Sequence, residues 1–346
     1  MKKLVKLGLL GVGLIGKRHA EIILQSKNAK LTAVADPDQS AEKYANKIGV
    51  DYFSNLSEMI SSSSLDGVII ATPNNLHVEH GLECIQKGIP SLIEKPLASS
   101  ANDAEIISRA AHENGVAVLV GHHRRHNPII RAAKKIVASG EIGDVRSFHA
   151  NCWLFKPDEY FDESIWRTKK GAGPVSVNLV HDIDLLRYIC GEVVSVQAQT
   201  IKSRRGHENE DVASVLLKFD SDIVGTISVS DTIVSPWSWE LTAKENPAYP
   251  PTSESCYLFG GDHGSLSVPD LTIWKNKDKR GWWEPIDSAK HSIITTDPLM
   301  NQIDHFCSVI KGNKPPLISA EEGFKNLKVL EGIYESAESG ETFKIT

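Results

Sequence analysis

The residues that could do chemistry begin with a glycine-rich run, Gly11-Val-Gly13-Leu14-Ile15-Gly16, which follows an apolar segment and opens an amphipathic one. This order predicts a strand, a tight turn and a helix. In such a turn the first glycine permits the bend, the second lets backbone N–H groups approach a pyrophosphate, and the third allows helix and strand to pack closely. Asp36 stands twenty residues beyond Gly16, where a carboxylate that binds ribose hydroxyls is expected.

This spacing predicts a dinucleotide site. NAD should be preferred to NADP because Asp36 would repel a 2′-phosphate. In the alternative interpretation Asp36 caps the following helix, and Lys17 or Arg18 reaches a phosphate.

Two further segments follow predicted strands. Ala71-Thr72-Pro73-Asn74 leads to His77, and Glu94-Lys95-Pro96 follows the next strand. Ligands of a parallel sheet bind at the carboxyl ends of its strands, so we expect these residues to line the cofactor site. Lys95 could exchange a proton with a substrate oxygen, since a neighbouring cationic nicotinamide ring would lower its pKa. Alternatively, Lys95 is a solvated lysine in a strand-end loop.

Another candidate pair lies in a helix predicted over about 178–190. The three-residue spacing places Asn178 and His181 on one face. The neutral imidazole of His181 could accept a hydroxyl proton near neutral pH, although a helix histidine can equally be structural. The predicted buried stripe consists of Leu179, Ile183, Leu186 and Ile189.

Aromatic and arginine side chains could line a sugar pocket, because rings stack on C–H faces and guanidinium groups donate to hydroxyls. The candidates are Trp153, Trp166, Arg167, Trp237 and Trp239. Packing is the alternative, and it is the preferred interpretation for Trp282 and Trp283. A histidine-rich segment over 122–126 could suggest a metal or phosphate site, but no carboxylate or cysteine lies close in sequence, so we expect no metal.

The elements that must position these residues change character near Gly121. Before it, short apolar strands alternate with helices, which is typical of a doubly wound parallel sheet of the Rossmann type. The predicted strands lie near 4–10, 30–35, 66–71, 89–93 and 116–120. The predicted helices lie at about 14–26, 38–48, 75–87 and 100–114, with the serines at 61–64 as a loop.

After Gly121 strands follow one another with few helices between them, which predicts a large, mostly antiparallel sheet, open on one face. The strands are expected near 145–153, 193–202, 211–219, 223–231, 237–243 and 256–268. The helices are expected at about 129–139, 178–190, 299–311 and 320–337. The predicted fold class is α/β, with a dinucleotide-binding domain over 1–123 and a second α/β domain, for the substrate, over 124–346. With no flexible linker evident, the two should share a cleft.

Composition excludes several classes of function. A chain of 346 residues exceeds what one core usually supports, and a net charge of −6 with interspersed signs argues against a nucleic-acid binder. The five cysteines show no zinc-like spacing and are interpreted as reduced structural thiols. No apolar stretch has the length of a signal or membrane-spanning segment. We therefore expect a soluble, cytoplasmic protein that binds a small molecule and no membrane.

Together these motifs resemble those of the glucose–fructose oxidoreductase, inositol dehydrogenase and MocA-type family of NAD(P)-dependent oxidoreductases, over essentially the whole chain. Further matches are His19, Gly121-His122 with Arg124-Arg125, and the glycine-rich turn before His181-Asp-Ile-Asp184. The resemblance implies a Rossmann domain followed by an α/β domain whose open sheet forms a homo-oligomer, a tetramer or a dimer. It also implies that Lys95 and His181 flank the substrate carbinol, and that the loop of His122 and Arg124 lines the nicotinamide side.

The expected activity is oxidation of a secondary hydroxyl of a sugar, inositol or related cyclic polyol by NAD(P), or reduction of the ketone. Lys95 and His181 are the expected catalytic residues, and Arg124, Arg167 and Asn178 are expected substrate contacts. Many polyol-oxidising family members carry an aspartate four residues before the histidine, where this chain has Val177. Either Asn178 or another polar group orients His181, or His181 acts alone with Lys95.

The sequence leaves open two alternatives to a dehydrogenase. One is an enzyme of the same fold that uses NAD transiently for elimination or glycoside hydrolysis. The other is a non-catalytic dinucleotide sensor, against which the presence of both Lys95 and His181 argues.

Overall fold

The computed structural model describes residues 3–345. In chain order, its strands are β1 (Val5–Leu10), β2 (Ala29–Ala35), β3 (Asp51–Phe53), β4 (Gly67–Ile70), β5 (Ser91–Ile93), β6 (Val118–Val120), β7 (Val145–Trp153), β8 (Val193–Lys202), β9 (Glu210–Phe219), β10 (Val224–Ser230), β11 (Tyr257–Gly261), β12 (Ser265–Val268), β13 (Thr272–Asn276), β14 (Ile286–Lys290) and β15 (Phe343–Lys344). The α-helices are α1 (Leu14–Gln25), α2 (Ser40–Ile48), α3 (Leu56–Ser62), α4 (His77–Gln86), α5 (Ala101–Asn114), α6 (Pro128–Ala138), α7 (Asp158–Asp162), α8 (Val180–Cys190), α9 (Trp239–Thr242), α10 (Pro298–Ile310) and α11 (Ala320–Ser339).

The chain divides into two compact units. The first extends to His126 and also includes Thr296–Leu327, and the second comprises Asn127–Thr295 and the residues from Lys328 onward. The late segment joins the first unit because α10 buries Ile303 and Phe306 in the same apolar cluster as Leu7 of β1. The predicted domain limits, 1–123 and 124–346, remain a prediction.

The first unit confirms the predicted parallel sheet. Its strand order is β3-β2-β1-β4-β5-β6, and strands such as β4 are apolar throughout because helices cover both faces. The order reverses between β1 and β4. The carboxyl ends of these two strands therefore flank the switch point at which doubly wound sheets bind ligands.

The second unit confirms the predicted open sheet. Nine strands lie in the order β14-β13-β12-β11-β7-β10-β9-β8-β15, and the described strands pair antiparallel except for β7 with β10. Along the second half of β9, Val215, Leu217 and Phe219 are buried while Leu216 and Lys218 are exposed. This period of two shows one packed face and one uncovered face.

Two predicted strands are wrong. Within the segment 237–243, where a strand was predicted, the short helix α9 (Trp239–Thr242) forms instead, and Ser238 caps its first turn. The predicted strand over 256–268 is the hairpin β11–β12, which turns where Gly261 N–H donates to Gly264 O at 2.8 Å.

Several elements were not predicted, namely β3, α3, α7, β13, β14 and β15. Helix α3 takes up the first two serines of the predicted 61–64 loop. No helix among the described residues is both long and apolar enough to cross a membrane.

Candidate active site

The glycine-rich turn connects β1 to α1 as predicted, and its three glycines have different surroundings. A Cβ at Gly11, where φ is +90°, would lie 2.5 Å from Ala71 O, and one at Gly16 would lie 2.0 Å from Gly11 O. A Cβ at Gly13 would meet nothing within 4 Å. The first and third glycines are therefore required by packing within the protein, whereas the second borders open space.

The start of α1 is suited to an anion. Its N-cap residue is Gly13, and no side chain caps the helix. The first N–H groups of a helix lack intrahelical partners, and they lie at the positive end of its dipole. Leu14, the first helical residue, is 94% exposed, and Ile15 is also exposed. These residues fit the pyrophosphate of a dinucleotide.

Asp36 is bonded to the turn itself. Its Oδ2 accepts from Val12 N–H at 2.7 Å, and its Oδ1 accepts from Asp38 N–H at 2.9 Å. A carboxylate can accept about four hydrogen bonds, so both oxygens retain capacity for ribose hydroxyls. The side chain thus helps to shape the turn and remains able to bind a ligand.

His77 joins the two strand-end loops. Its Nε2 lies 2.9 Å from Thr72 O, and its Nδ1 lies 2.8 Å from Pro96 O. Burial lowers the pKa of His77, although the two carbonyl oxygens oppose this shift. The imidazole therefore ties the Ala71-Thr72-Pro73-Asn74 segment to the Glu94-Lys95-Pro96 segment. Its contact with the cofactor remains a prediction.

Lys95 follows a buried hydrogen-bonded pair, His19 and Glu94, that sequence reasoning did not assign. His19 Nε2 lies 2.7 Å from Glu94 Oε1, and Glu94 Oε2 accepts from Lys95 N–H at 3.2 Å. Burial opposes ionisation of Glu94, but His19, His123 and Lys95 together bring its pKa below the ordinary value. The Glu94 carboxyl group also fixes the backbone at Lys95. The sequence signal for His19 was the family resemblance at its position shortly after the glycine-rich run, which did not indicate Glu94 as its partner.

The histidine-rich loop after β6 is embedded in the first unit. His122 and Arg124 are both buried, and His122 Nε2 lies 3.5 Å from Asn326 Nδ2 of α11. Arg125 pairs with Glu322 at 2.8 Å. The loop is therefore anchored to α11, and the predicted contacts of His122 and Arg124 with cofactor or substrate remain predictions.

In the second unit, a π-helical turn over Val175–Leu179 leads into α8. Asn178 lies in this wider turn rather than in an α-helix, and its predicted position on one face with His181 remains a prediction. The predicted buried stripe of α8 is buried, but so are His181, Asp182 and Asp184. The helix is surrounded by protein, and Tyr257 satisfies one polar group by donating its hydroxyl to Asp182.

The π-helical turn is held by Glu210 of β9, a residue that sequence reasoning missed. Glu210 Oε1 accepts from Val175 N–H at 3.0 Å and from Tyr334 OH at 3.2 Å. Burial raises the pKa of Glu210. Glu210 and Val175 are far apart in sequence, so only the packed structure shows this contact.

The aromatic and arginine side chains that were predicted to line a sugar pocket make separate packing contacts. Trp153 packs on Trp237 at 5.8 Å between ring centroids and donates Nε1–H to Ser228. Arg167 lies over the ring of Tyr160 at 4.1 Å and pairs with Glu163 at 2.7 Å. Trp166 is half-exposed and Trp239 is buried. The second unit contains a cavity whose lining residues include Asn178, Val177 and Tyr160. None of the described tryptophans lines this cavity.

Comparison with known proteins gives two family matches. A model described as an oxidoreductase family with an NAD-binding Rossmann fold, GFO_IDH_MocA, matches residues 5–122. A model described as the GFO/IDH/MocA C-terminal domain matches residues 130–265.

Three individual relatives share less than a third of their aligned residues with this chain. An oxidoreductase of Streptococcus pneumoniae is 30% identical over 63% of this chain and 60% of its own length. Two scyllo-inositol 2-dehydrogenases of Bacillus subtilis, named for NADP⁺ and NAD⁺, are 24% and 26% identical over 99% and 95% of this chain, and over 96% and 93% of their own lengths. A crystal structure of the WlbA dehydrogenase from Bordetella pertussis, in complex with NADH and UDP-GlcNAcA, matches with a TM-score of 0.80 at 26% identity and covers 99% of both chains.

Proposed function

The chain belongs to the Gfo/Idh/MocA family and is an NAD(P)-dependent oxidoreductase, and from this premise we propose that it oxidises a secondary hydroxyl of a sugar, inositol or related cyclic polyol, or reduces the ketone. The scyllo-inositol dehydrogenases among its relatives support this substrate class. The observation that carries the proposal is the uncapped start of α1, which borders the open space at Gly13 next to Asp36.

The residues of the first unit would hold the cofactor. Backbone N–H groups at the start of α1 would donate to the pyrophosphate, and Asp36 would accept from ribose hydroxyls. When bound, the nicotinamide supplies the hydride acceptor or donor. The protein's own task is to orient the carbinol and to move its proton.

We propose that NAD is preferred to NADP. The Asp36 carboxylate is fixed by two backbone N–H groups, so a 2′-phosphate would meet a negative charge that cannot move aside. The nearest candidate cations have other contacts. Arg18 pairs with Asp297 at 2.8 Å, and Lys17 lies over the ring of Tyr44 at 5.7 Å. These contacts argue against the alternative in which Lys17 or Arg18 binds a phosphate.

Proton transfer is assigned to Lys95 first and to His181 second. The alcohol's proton must leave as hydride departs, and a positioned base accepts it. The carboxyl group of Glu94 accepts from the backbone N–H of Lys95, which supports a fixed position for the Cα atom from which the Lys95 side chain extends. Val177 provides no carboxylate for an imidazolium at His181, so Lys95 should be the more essential of the two.

A substrate panel tests the activity. Sugars, inositols and cyclic polyhydroxy acids are incubated with NAD⁺ or NADP⁺, and formation of the reduced nicotinamide is followed. Sustained reduction of NAD⁺ supports the proposal. Product formation without net reduction would indicate transient use of the cofactor, and tight NAD binding without any reaction would indicate a sensor. Either result would replace the dehydrogenase proposal.

We also propose that the uncovered face of the second sheet joins copies of this chain, as a tetramer or a dimer. Leu216, Leu258 and Trp274 are exposed on strands of this sheet, and an apolar patch of this kind is typical of an interface. Sedimentation should show an oligomer that Leu216→Glu dissociates and Leu24→Glu, a change on α1, does not. A stable wild-type monomer at micromolar concentration would reject the proposal.

A further inference from the structure

A cavity of about 460 Å³ lies in the second unit, beside the π-helical turn that carries Asn178. Much of its wall is apolar, with Phe155, Val177 and Leu241 among the lining residues, and Lys156 and Asn178 also line it. Small-molecule sites combine a volume of this order with apolar walls and a few placed polar groups. The cavity therefore has the size and composition of a ligand site.

Lys156 and Asn178 have hydrogen-bonding capacity that the described residues do not use. Lys156 is 7% exposed, and its Nζ is 3.9 Å from Asp231 Oδ2, which is beyond hydrogen-bond distance. Asn178 is 8% exposed, and its Oδ1 is buried without a partner among the described residues. Buried polar groups in native proteins are nearly always hydrogen-bonded. An unused donor and an unused acceptor thus line the same cavity.

The charges around Lys156 argue against an anionic ligand. Arg205 Nη1 lies 3.4 Å from Asp231 and 3.7 Å from Asp211, so this cluster contains two cations and two carboxylates. Glu210 and Glu240 also act on Lys156, and both favour its charged form, whereas burial lowers its pKa. Asp231 and the other acidic groups already compensate the charge of Lys156, so an anion would gain little from it, and a cation would be repelled by Lys156 itself.

We propose that the cavity binds the uncharged, hydroxylated part of the substrate. Lys156 Nζ donates to one hydroxyl and Asn178 Oδ1 accepts from a neighbouring one, since a hydroxyl both accepts and donates. The apolar wall then contacts the C–H faces of the ring. This inference rests on the proposed function and narrows its substrate class to neutral sugars and cyclitols, to the exclusion of sugar acids. Lys156 is a binding residue that the sequence motifs did not indicate.

Matched ligands test the charge argument. Calorimetry on the full-length, NAD⁺-loaded protein compares D-glucose with D-glucuronate, and myo-inositol and scyllo-inositol are added as neutral cyclitols. We expect at least one neutral ligand to bind, and D-glucose to bind about tenfold or more tightly than D-glucuronate. Tighter binding of the acid would overturn the assignment.

Four variants test the residues. Lys156→Met and Asn178→Leu should each weaken binding of the neutral ligand about 10- to 100-fold, as loss of a charge-assisted or buried hydrogen bond predicts. Lys156→Gln keeps a neutral donor and should recover part of the loss. The exposed Lys170, which pairs with Glu338, provides the control Lys170→Met, which should leave binding unchanged. Where the variants turn over, KM should rise and kcat should change little, because ground state and transition state lose the same contact.

The outcomes separate the cavity from the reaction. Unchanged binding in both Lys156→Met and Asn178→Leu would overturn the cavity assignment, even if the protein oxidises polyols. Polyol binding that depends on Lys156, without any reduction of NAD⁺, would support the cavity assignment and reject the dehydrogenase. If Lys156→Met fails to fold, Asn178→Leu decides. A third outcome would also overturn the assignment. If Lys156→Gln binds the neutral ligand as weakly as Lys156→Met does, and the wild-type protein binds D-glucuronate more tightly than D-glucose, then the charge of Lys156 serves an anion instead.

Discussion

Helix α1 follows the N-cap residue Gly13, and no side chain caps it. In the segment that leads into α8, by contrast, Val175 N–H donates to the carboxyl group of Glu210 at 3.0 Å. Both segments follow glycine-containing turns, and both present backbone donors at a helix start. In the first unit these donors remain available to a ligand. In the second unit a buried side chain from β9 uses one of them.

The difference shows how one local element serves two purposes. An uncapped helix start next to a fixed carboxylate suits a ligand with a pyrophosphate and a ribose. A helix start closed by Glu210 cannot bind an anion in the same way, and the recognition proposed for the second unit uses the polar side chains of Asn178 and Lys156. In the proposed assignment, cofactor binding would depend mainly on backbone groups, and substrate binding would depend on side chains.

The largest expected effect tests whether the first unit also supplies the chemistry. Lys95→Met should fold and bind NAD, because Lys95 is outside the glycine-rich turn, but its rate of hydride transfer should fall about 10²- to 10⁴-fold. His181→Ala should lose less. Single-turnover kinetics measures both, with Lys170→Met as a control. A Lys95→Met protein that reacts near the wild-type rate would remove Lys95 from the mechanism.

The next effect separates packing from ligand contact within the turn. Gly16→Ala places a Cβ 2.0 Å from Gly11 O and should reduce the free energy of unfolding by about 1–3 kcal/mol or more. Gly13→Ala has open space and an ordinary φ of −71°, so stability should fall only by about 0.5–1 kcal/mol, as expected for alanine at a helix N-cap. Its NAD affinity should nevertheless fall about tenfold, because the methyl group occupies the space assigned to the pyrophosphate.

Denaturant unfolding and NADH fluorescence titration of the two glycine variants give these quantities. Equal loss of stability in both variants would contradict the different roles of Gly13 and Gly16. Unchanged NADH affinity in Gly13→Ala would place the pyrophosphate elsewhere.

Asp36 sharpens the comparison further, since its side chain is proposed to bind the ribose at a site formed mainly by backbone groups. Asp36→Ala should weaken NADH binding about 10- to 100-fold and NADPH binding much less, because the repulsion of the 2′-phosphate is also removed. Asp36→Asn keeps an acceptor for Val12 N–H and separates the shape of the turn from the charge. Titration of both cofactors is the measurement, and a wild-type protein that prefers NADPH would reject the argument.

The smallest effect concerns the closed helix start. Burial raises the pKa of Glu210, so its contribution to stability is fully present below its unfolded pKa, about 4.3, and is lost as pH rises through the folded value. Glu210→Gln should therefore be more stable than wild type at alkaline pH and similar to it in acid. Thermal unfolding across pH checks this. Glu208→Gln, at an exposed position, is the control, and a parallel pH profile for Glu210→Gln and wild type would contradict the prediction.

The accuracy of prediction from the sequence differs between the two units. In the first unit, periodicity and the glycine spacing predicted five of the strands and five of the helices within a few residues, because parallel strands are continuous apolar runs. The short elements β3 and α3 were missed. In the second unit, a strand was predicted over 237–243, where the short helix α9 forms. Ser238 caps this helix, and Trp239 packs against Tyr257.

The sequence by itself determined the glycine-rich turn, the position of Asp36 and the family of the chain, since these depend on residues close together and on backbone geometry that few residue types permit. Tertiary structure alone decided that His19 holds Glu94, that Glu210 closes the turn before α8, and that Lys156 lines a cavity with Asn178. Each of these contacts joins residues from separate segments. Burial removes such groups from water, so their partners and charge states depend on the packing around them.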